Sequence, residues 1–387
     1  MNRKFSLRSI ILIGLAGLLA GVVLAGVVTY ALMGDMAKTF IKLSEIDFFV
    51  DRYFYGEVDS EKLEKAICEG YVEALDDKYA KYLAAEDAAV NFDHLEGNRS
   101  GIGVTVVKHP DNDCIYVVDV SENGPAHKVG IRAGDVISKV GDVAVTEETY
   151  IKCVDMLIGE IGDTISVTRL SDGKKLDIIV DKFEVQSVFY RMIGDYAYIR
   201  ISAFSDNSVE QFKNALNKAQ DSNAKGLIFD VTGNGGGTVD SVAEILDMLL
   251  PEGEIMSVKY ANGASEVLHR SDKEEVDLPM VVLTDKFTAS AAELFSISIR
   301  DYDKGVLIGQ PTYGKGVMQT TYRLDDGSSI KFTVAQFFSK SKTDFRKDGI
   351  IPDEEFSLSE YEQKYFYLLG DDENPYIQRA IKYLNEQ

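Results

Sequence analysis

Apolar residues recur along this chain in two patterns that divide it into helical and strand-rich regions. Between residues 35 and 96 they return every three or four positions, as in residues 40–49 and 63–75, which predicts helices. From 97 to 183 short alternating runs separated by turn residues predict strands. From 184 to 356 strand-like and helix-like runs alternate, and residues 357–387 form an amphipathic helical tail. We therefore expect an α+β multidomain chain with an α/β core.

One long apolar run contains no charged residue. Residues 10–33 are almost wholly apolar, and a helix of that length exceeds the roughly 30 Å hydrocarbon core of a bilayer. Arg3, Lys4 and Arg8 precede it, so the positive-inside rule predicts a cytoplasmic segment at residues 1–9 and an extracytoplasmic remainder. The alternative is a cleaved signal peptide, which would make the protein secreted.

Composition narrows the class of partner. The 387 residues are enough for two or three domains, and the formal charge of −22 argues against nucleic acid, whose phosphates need clustered Lys and Arg. Cys68, Cys114 and Cys153 are widely spaced and show no metal-ligand pattern. We expect no metal, cofactor or disulfide.

The strand-rich region contains a recognisable module. Predicted strands at 115–120 and 165–170 flank Gly-Pro-Ala and Gly-Ile-Arg-Ala-Gly-Asp within residues 124–135, and a helix follows at 150–158. This order resembles a PDZ domain. The resemblance implies that backbone N–H groups of an opening glycine loop bind a peptide's terminal carboxylate while the adjacent strand edge pairs the peptide. The implied peptide-binding residues are Gly101, Ile102, Gly103 and Val104.

Three segments of the α/β region each follow a strand-like run. The run at 226–231 precedes the glycine loop 233–237, the run at 278–284 precedes Ser290, and the run at 306–309 precedes Lys315. Ser290 stands at a strand-to-helix turn, where N–H groups of the helix start favour negative charge. No histidine lies in these segments, so Lys315 is the candidate base. Gln319 shares its face if residues 316–322 are extended, and would then orient it.

The glycine loop can supply donors for an oxyanion. We expect the N–H of Gly236 or Gly237, with that of Ala291, to form an oxyanion hole. A nucleotide-binding loop is disfavoured because the Gly-x-Gly-x-x-Gly pattern fails at Thr238 and no Walker lysine follows. Simpler interpretations remain open at each motif: a tight turn for the loop, a capping box for Ser290 with Glu293, and a solvated loop position for Lys315.

Together these motifs resemble the carboxyl-terminal processing peptidases, also called tail-specific proteases. The likeness extends over Leu-Asp-Asp-Lys-Tyr at 75–79, Asn-Gly-Gly-Gly at 234–237, Ala-Ser-Ala-Ala-Glu at 289–293, Thr-Tyr-Gly-Lys-Gly at 312–316 and Gly-Ile-Ile-Pro-Asp at 349–353. It implies Ser290 as nucleophile, Lys315 as general base and Gln319 as its positioning residue. It also implies a crotonase/ClpP-like core and cleavage of proteins that enter by their C-terminal tails. PDZ-gated activity and a homodimer are implied as well.

The chain departs from the family pattern at Gly235, where proline is usual, and at Thr288 and Ala292, where serines are usual. None of these changes removes a reactive group. Two other classes of protein stay open: an inactive PDZ adaptor on a protease scaffold, and a crotonase-like acyl-transfer enzyme, which the PDZ module and export signal disfavour.

Arg132 and the pair Ser171 and Lys174 also carry groups that could act in a site. Arg132 could couple peptide binding to activity, although an ordinary surface arginine is the simpler interpretation. Ser171 and Lys174 match Ser-x-x-Lys but lie in a hairpin turn rather than on a helix, so we do not expect catalysis from them.

Overall fold

The computed structural model describes residues 7–34 and 36–387. Its first helix, α1, spans Leu7–Met33 and contains the run predicted to be a membrane anchor. Across the described ranges no helix has the combined length and apolarity of a membrane span. Most of the predicted cytoplasmic segment at residues 1–9 lies outside the described residues.

Residues 36–96 are largely helical, as the periodicity predicts. The elements are α2 (Met36–Tyr53), α3 (Ser60–Glu73), β1 (Lys81–Leu83) and α4 (Ala85–Glu96). Asp59 Oδ1 accepts a hydrogen bond from Lys62 N at 3.0 Å and so starts α3 as expected. The strand β1 is not predicted by the apolar pattern; it pairs antiparallel with a strand some 250 residues later, with Lys81 opposite Lys331. The chain divides into two compact units, residues 1–67 and residues 68–387.

The strand-rich module is a small antiparallel sheet with two short helices. Its strand order is β3-β4-β5-β7-β8, with β6 on β5, while β2 pairs with β9. Its core is built by Ile115, Val117, Ile137 and Ile178. The elements are β2 (Asn98–Gly101), β3 (Val104–Lys108), β4 (Ile115–Val120), α5 (Pro125–Lys128), β5 (Val136–Val140), β6 (Val143–Ala144), α6 (Tyr150–Asp155), β7 (Thr164–Arg169), β8 (Lys175–Ile179) and β9 (Asp181–Glu184).

The α/β region that follows contains two sheets. One has the order β10-β11-β12-β15-β16-β19 and is parallel from β11 onward. The other has the order β1-β18-β13-β14, with β17 also on β18. The elements are β10 (Val188–Ile193), β11 (Tyr196–Ile201), α7 (Ser208–Asp221), β12 (Gly226–Asp230), α8 (Val239–Asp247), β13 (Gly253–Tyr260), β14 (Ser265–Ser271), β15 (Met280–Thr284), α9 (Ala291–Asp301), β16 (Gly305–Gly309), β17 (Val317–Arg323), β18 (Ser329–Phe338) and β19 (Glu354–Glu355).

Helices cover both faces of the parallel sheet. Every residue of β12 and β15 is buried, which explains their continuous apolar runs. On one face the ring of Phe295 from α9 packs 5.3 Å from Phe229 and 5.7 Å from Phe204, measured between centroids. On the other face lies the tail helix α11, whose Ile377 and Ala380 are buried.

The predicted helical tail is built from two helices and a short turn. It consists of α10 (Glu360–Tyr365), a 3₁₀ turn at Phe366–Leu368 and α11 (Pro375–Asn385). Asn374 starts α11 afresh, because its side chain accepts a hydrogen bond from Tyr376 N at 3.0 Å and Pro375 occupies the first helical position.

Candidate active site

Three loops meet at one edge of the parallel sheet. Strands β12, β15 and β16 are neighbours, and their carboxyl ends lead into the glycine loop, the Ser290 turn and the Lys315 loop respectively. Ligand sites of open α/β sheets form outside the carboxyl ends of the strands. The topology therefore gathers the three predicted motifs into one site.

Ser290 is held in a conformation that serine rarely adopts. Its φ is 60° and its ψ is −118°, and it immediately precedes α9. A non-glycine residue in such a region costs about 1–3 kcal/mol and persists only where its surroundings enforce it. Within residues 36–387 the N–H of Ala291, next in the chain, has no backbone or side-chain acceptor, so this donor is available to an anion.

The glycine loop is fastened against the Ser290 turn by Asn234. This buried side chain donates to Ile201 O at 2.8 Å and accepts from Gly236 N at 2.8 Å, and its backbone oxygen accepts from Ala289 N at 2.9 Å. A Cβ built on Gly236 would lie only 2.8 Å from Ser290 Cβ, so glycine is required for this close approach.

These contacts decide between the two predicted loop donors. The N–H of Gly236 is already bonded to Asn234, so it is not a free oxyanion donor. The N–H of Gly237 has no acceptor in the described part of the chain, and this residue is exposed. A side chain is excluded at Gly237, because its Cβ would lie 1.9 Å from Phe204 O. Gly237 and Ala291 are thus the pair with free N–H groups.

Glu293 joins the serine turn to the lysine loop. Its carboxylate is fully buried and accepts four hydrogen bonds. One oxygen accepts from Ser290 N at 2.7 Å and Lys315 N at 2.9 Å, and the other from Thr312 Oγ1 and Gly314 N, both at 2.6 Å. The helix cap expected from the sequence accounts for only one of these four hydrogen bonds, the one from Ser290 N.

Lys315 has the environment of a weakened base. Its side chain is half-buried, and its Nζ lies 5.1 Å from the centroid of the Tyr79 ring. The pKa of Lys315 is lowered to about 8, first because burial removes the amine from water and then because the positive charge of Lys331 is near; Glu293 and Asp77 act in the opposite direction. Within residues 36–387 the amine donates no hydrogen bond to Ser290.

Gln319 makes no hydrogen bond with the Lys315 amine in the part of the chain that the structure describes. Its Nε2 donates weakly to Val317 O at 3.5 Å. The assumption of an extended segment fails at Gly316, whose φ is +44°, and a register irregularity follows at Met318. Strand periodicity therefore does not relate these two side chains.

The predicted peptide groove of the PDZ-like module is open and faces the α/β region. Gly101, Ile102, Gly103 and Val104 line a cavity of about 580 Å³, which Val154 and Leu157 bound on the other side. Gly103 has a φ of 80°, and β3 is an edge strand of its sheet. A free edge with a glycine turn is what peptide addition needs.

The α/β region supplies one wall of this groove. Arg200 on β11 and Phe189 on β10 also line the cavity. Arg200 Nη1 donates to Asp119 Oδ2 on β4 at 2.9 Å, and each side chain is only 24% exposed. Arg132 instead donates to His127 O and Ile131 O within its own module.

Sequence reasoning missed two parts of the site. Tyr79 lies in the Leu-Asp-Asp-Lys-Tyr segment that carried part of the family resemblance, which was the available signal, but nothing in its spacing indicates contact with Lys315. For Glu293 the sequence allows either a helix cap or a supporting role in the site, and capping-box spacing favours the cap, because that spacing explains the residue without further contacts.

Comparison with known proteins identifies both modules. The model of peptidase family S41 matches residues 195–356, and the PDZ domain model matches residues 100–181. The carboxy-terminal processing protease CtpA of Bacillus subtilis is 31% identical over 330 residues, which cover 83% of this chain and 70% of that protein.

Solved structures agree in fold. A photosystem II D1 C-terminal processing protease has a TM-score of 0.51 and 24% identity, covering 83% of this chain and 88% of its own. A candidate S41 protease from Bacteroides fragilis has a TM-score of 0.63 and 18% identity, covering 82% and 90%. The chain belongs to peptidase family S41 and is a carboxy-terminal processing serine protease with a PDZ domain.

Proposed function

We propose that Ser290 is the nucleophile and Lys315 the general base of this protease. The observation that supports the pairing most is that one buried carboxylate, Glu293, bonds the backbone N–H of both residues. Their segments therefore stay together as a unit. A half-buried lysine whose pKa is lowered to about 8 suits a base near neutral pH.

The lowered pKa has a calculable benefit. At the ordinary lysine pKa of about 10.4, only about one amine in 2,500 is neutral at pH 7. At a pKa of about 8 roughly one in ten is neutral. The desolvated position of Lys315 therefore raises the population of usable base by about two orders of magnitude.

In the reaction, the neutral amine takes the proton of Ser290 Oγ as that oxygen attacks the scissile carbonyl. The oxyanion of the tetrahedral intermediate accepts hydrogen bonds from the N–H groups of Gly237 and Ala291. The Lys315 ammonium then gives its proton to the leaving peptide nitrogen, which leaves an acyl-enzyme on Ser290. A water molecule gives its proton to the amine and attacks the ester, and that proton returns to Ser290 Oγ. Gln319 contributes by holding the amine once it has moved beside the serine.

The test is the cleavage of an unstructured protein by the full chain. Ser290→Ala and Lys315→Ala should each lower turnover at least 10³-fold (order of magnitude for loss of a nucleophile or base). Activity should rise with pH around an apparent pKa near 8, the acid limb of the profile, and be lost below it, since only the neutral amine accepts a proton. A flat profile between pH 6 and 10 would refute a lysine base, and activity in Ser290→Ala would refute the nucleophile.

We further propose that the groove at Gly101–Val104 recognises the C-terminal tail of the substrate. The open edge of β3 and the glycine turn support this role. A labelled apolar tail peptide should bind the Ser290→Ala chain as tightly as the unmodified chain, and an amidated tail should bind neither well. Tail-independent degradation would contradict the proposal. An inactive PDZ adaptor would bind the tail without cleaving anything.

Location and assembly are proposed on the sequence and its family resemblance. Because the run at 10–33 is uncharged, we propose that it is a cell-membrane anchor and that the protease part lies outside the cytoplasm. From the family resemblance we propose a crotonase/ClpP-like core and a homodimer. Carbonate extraction of membranes and sedimentation of the purified chain test the first and last of these. Release into the carbonate supernatant would contradict the anchor, and a monomer at micromolar concentration would contradict the dimer.

A further inference from the structure

The segment that precedes β1 is tied to β18. Asp77 Oδ2 accepts a hydrogen bond from Thr333 N on β18 at 2.8 Å, and its other oxygen accepts from Tyr79 N at 3.0 Å. Four residues on, Lys81 pairs with Lys331 of the same strand. Fixed at both ends to β18, the segment holds the ring of Tyr79 in place between these ties.

The ring of Tyr79 is a cation site that Lys315 occupies. Lys315 Nζ lies 5.1 Å from the ring centroid, within the roughly 6 Å range of a cation–π contact. Lys78, which is exposed, reaches the same ring with its Nζ at 4.7 Å. The attraction depends on a full positive charge facing the negative ring face, so a neutral amine loses most of it.

Charged groups from each neighbouring element act on the same amine. Asp77 from the segment before β1 and Glu293 from α9 favour its charged form, whereas Lys331 from β18 disfavours it. These groups stay when Tyr79 is replaced, so a change of the ring isolates its own contribution to the proton equilibrium of Lys315.

We propose that Tyr79 is a positioning residue of the reaction, whose ring binds Lys315 in its protonated form and releases it on deprotonation. The loss of the proton and the movement of the amine toward Ser290 then form one event. The absence of an amine hydrogen bond to Ser290 within residues 36–387 fits the protonated, ring-bound form. This inference rests on the proposed role of Lys315 as base.

The test is the pH profile of kcat/KM for peptide cleavage by the full chain. Because the ring stabilises the ammonium, Tyr79→Leu should shift the acid limb downward by about 0.4–1.5 pH units. Below the limb this variant should then be about threefold to thirtyfold more active than the unmodified chain. Tyr79→Phe keeps the ring face and should keep the limb. Tyr322→Leu removes a half-exposed ring on β17 and is the matched control; it should not move the acid limb.

A second series guards against a misfolded variant. Phenylalanines with increasing numbers of fluorines at position 79 keep the shape of the ring while weakening its negative face. The limb should fall stepwise along the series. A limb that is the same for Leu, Phe and the fluorinated rings would overturn the inference, because Tyr79 would then be only an apolar cover.

The two proposals fail differently. If Lys315→Ala stays active, the base assignment is wrong whatever Tyr79 does. If Lys315→Ala is inactive but the limb ignores the ring, Lys315 remains the base and only the role of Tyr79 is lost.

Discussion

The substitution Glu293→Gln tests how strongly the site depends on one carboxylate. Glutamine has the same shape but a single acceptor oxygen, so it can keep only one of the two donor pairs that Glu293 binds. Either the N–H groups of Ser290 and Lys315 or the donors of Thr312 and Gly314 would face an amide NH₂. A hydrogen bond to a charged group is worth about 1.5–3 kcal/mol. Losing two should lower the free energy of unfolding by about 3–6 kcal/mol.

The assay is urea unfolding of the full chain in a Ser290→Ala background, which prevents self-digestion from being mistaken for instability. Glu244→Gln, on the exposed face of α8, is the matched control and should change stability by less than about 0.5 kcal/mol. With Ser290 restored, Glu293→Gln should also lose most cleavage, since the strained serine turn loses its tether. A stability loss under about 1 kcal/mol, ordinary for any substitution, would refute this reasoning.

Two further predictions concern the glycine loop and the contact between the modules. Gly237→Ala places a methyl group against Phe204 O and should abolish cleavage and destabilise the fold. In Gly235→Ala the added methyl group meets no atom within 4 Å, so this variant should keep its cleavage activity and its stability. Equal cleavage rates for the two variants would contradict this role of the loop. Asp119→Asn removes the carboxylate charge that the largely buried guanidinium of Arg200 bonds, although the charge of Asp230 still acts on this arginine. The variant should cost about 1–3 kcal/mol in urea unfolding, part of which Arg200→Met should recover in the double variant; no recovery would mean that the pair is not coupled.

Sequence patterns predict best the elements whose burial follows directly from their own run of residues. The run at 278–284 became β15 at Met280–Thr284, and the run at 226–231 became β12 at Gly226–Asp230. Strands buried on both faces must be apolar throughout, so their sequence alone reports them. Helix α9 begins one residue after Ser290, as the strand-to-helix turn predicts.

What the sequence could not reveal depends on contacts between distant segments. The three residues of β1 have no pattern of their own and become a strand only by pairing with β18, some 250 residues away. Tyr79 meets Lys315 for the same reason. For Gln319 the sequence argument assumed an extended segment at 316–322, and one glycine with a φ of +44° breaks the alternation on which that argument depended. In the tail, the side chain of Asn374 caps a new helix, α11, and so divides the predicted helical region into two helices.

The shared carboxylate of Glu293 restricts how this protease can be turned off. Any inactive form that pulled the serine and lysine backbones apart would leave a buried charge and up to four donors without partners, at a cost of several kcal/mol. Motions that keep these four bonds, such as rotation of a single side chain or a rearrangement of the loop at 233–237, avoid that cost. Inhibitors that exploit a dormant conformation should accordingly target these parts of the site and not a gap between the strands.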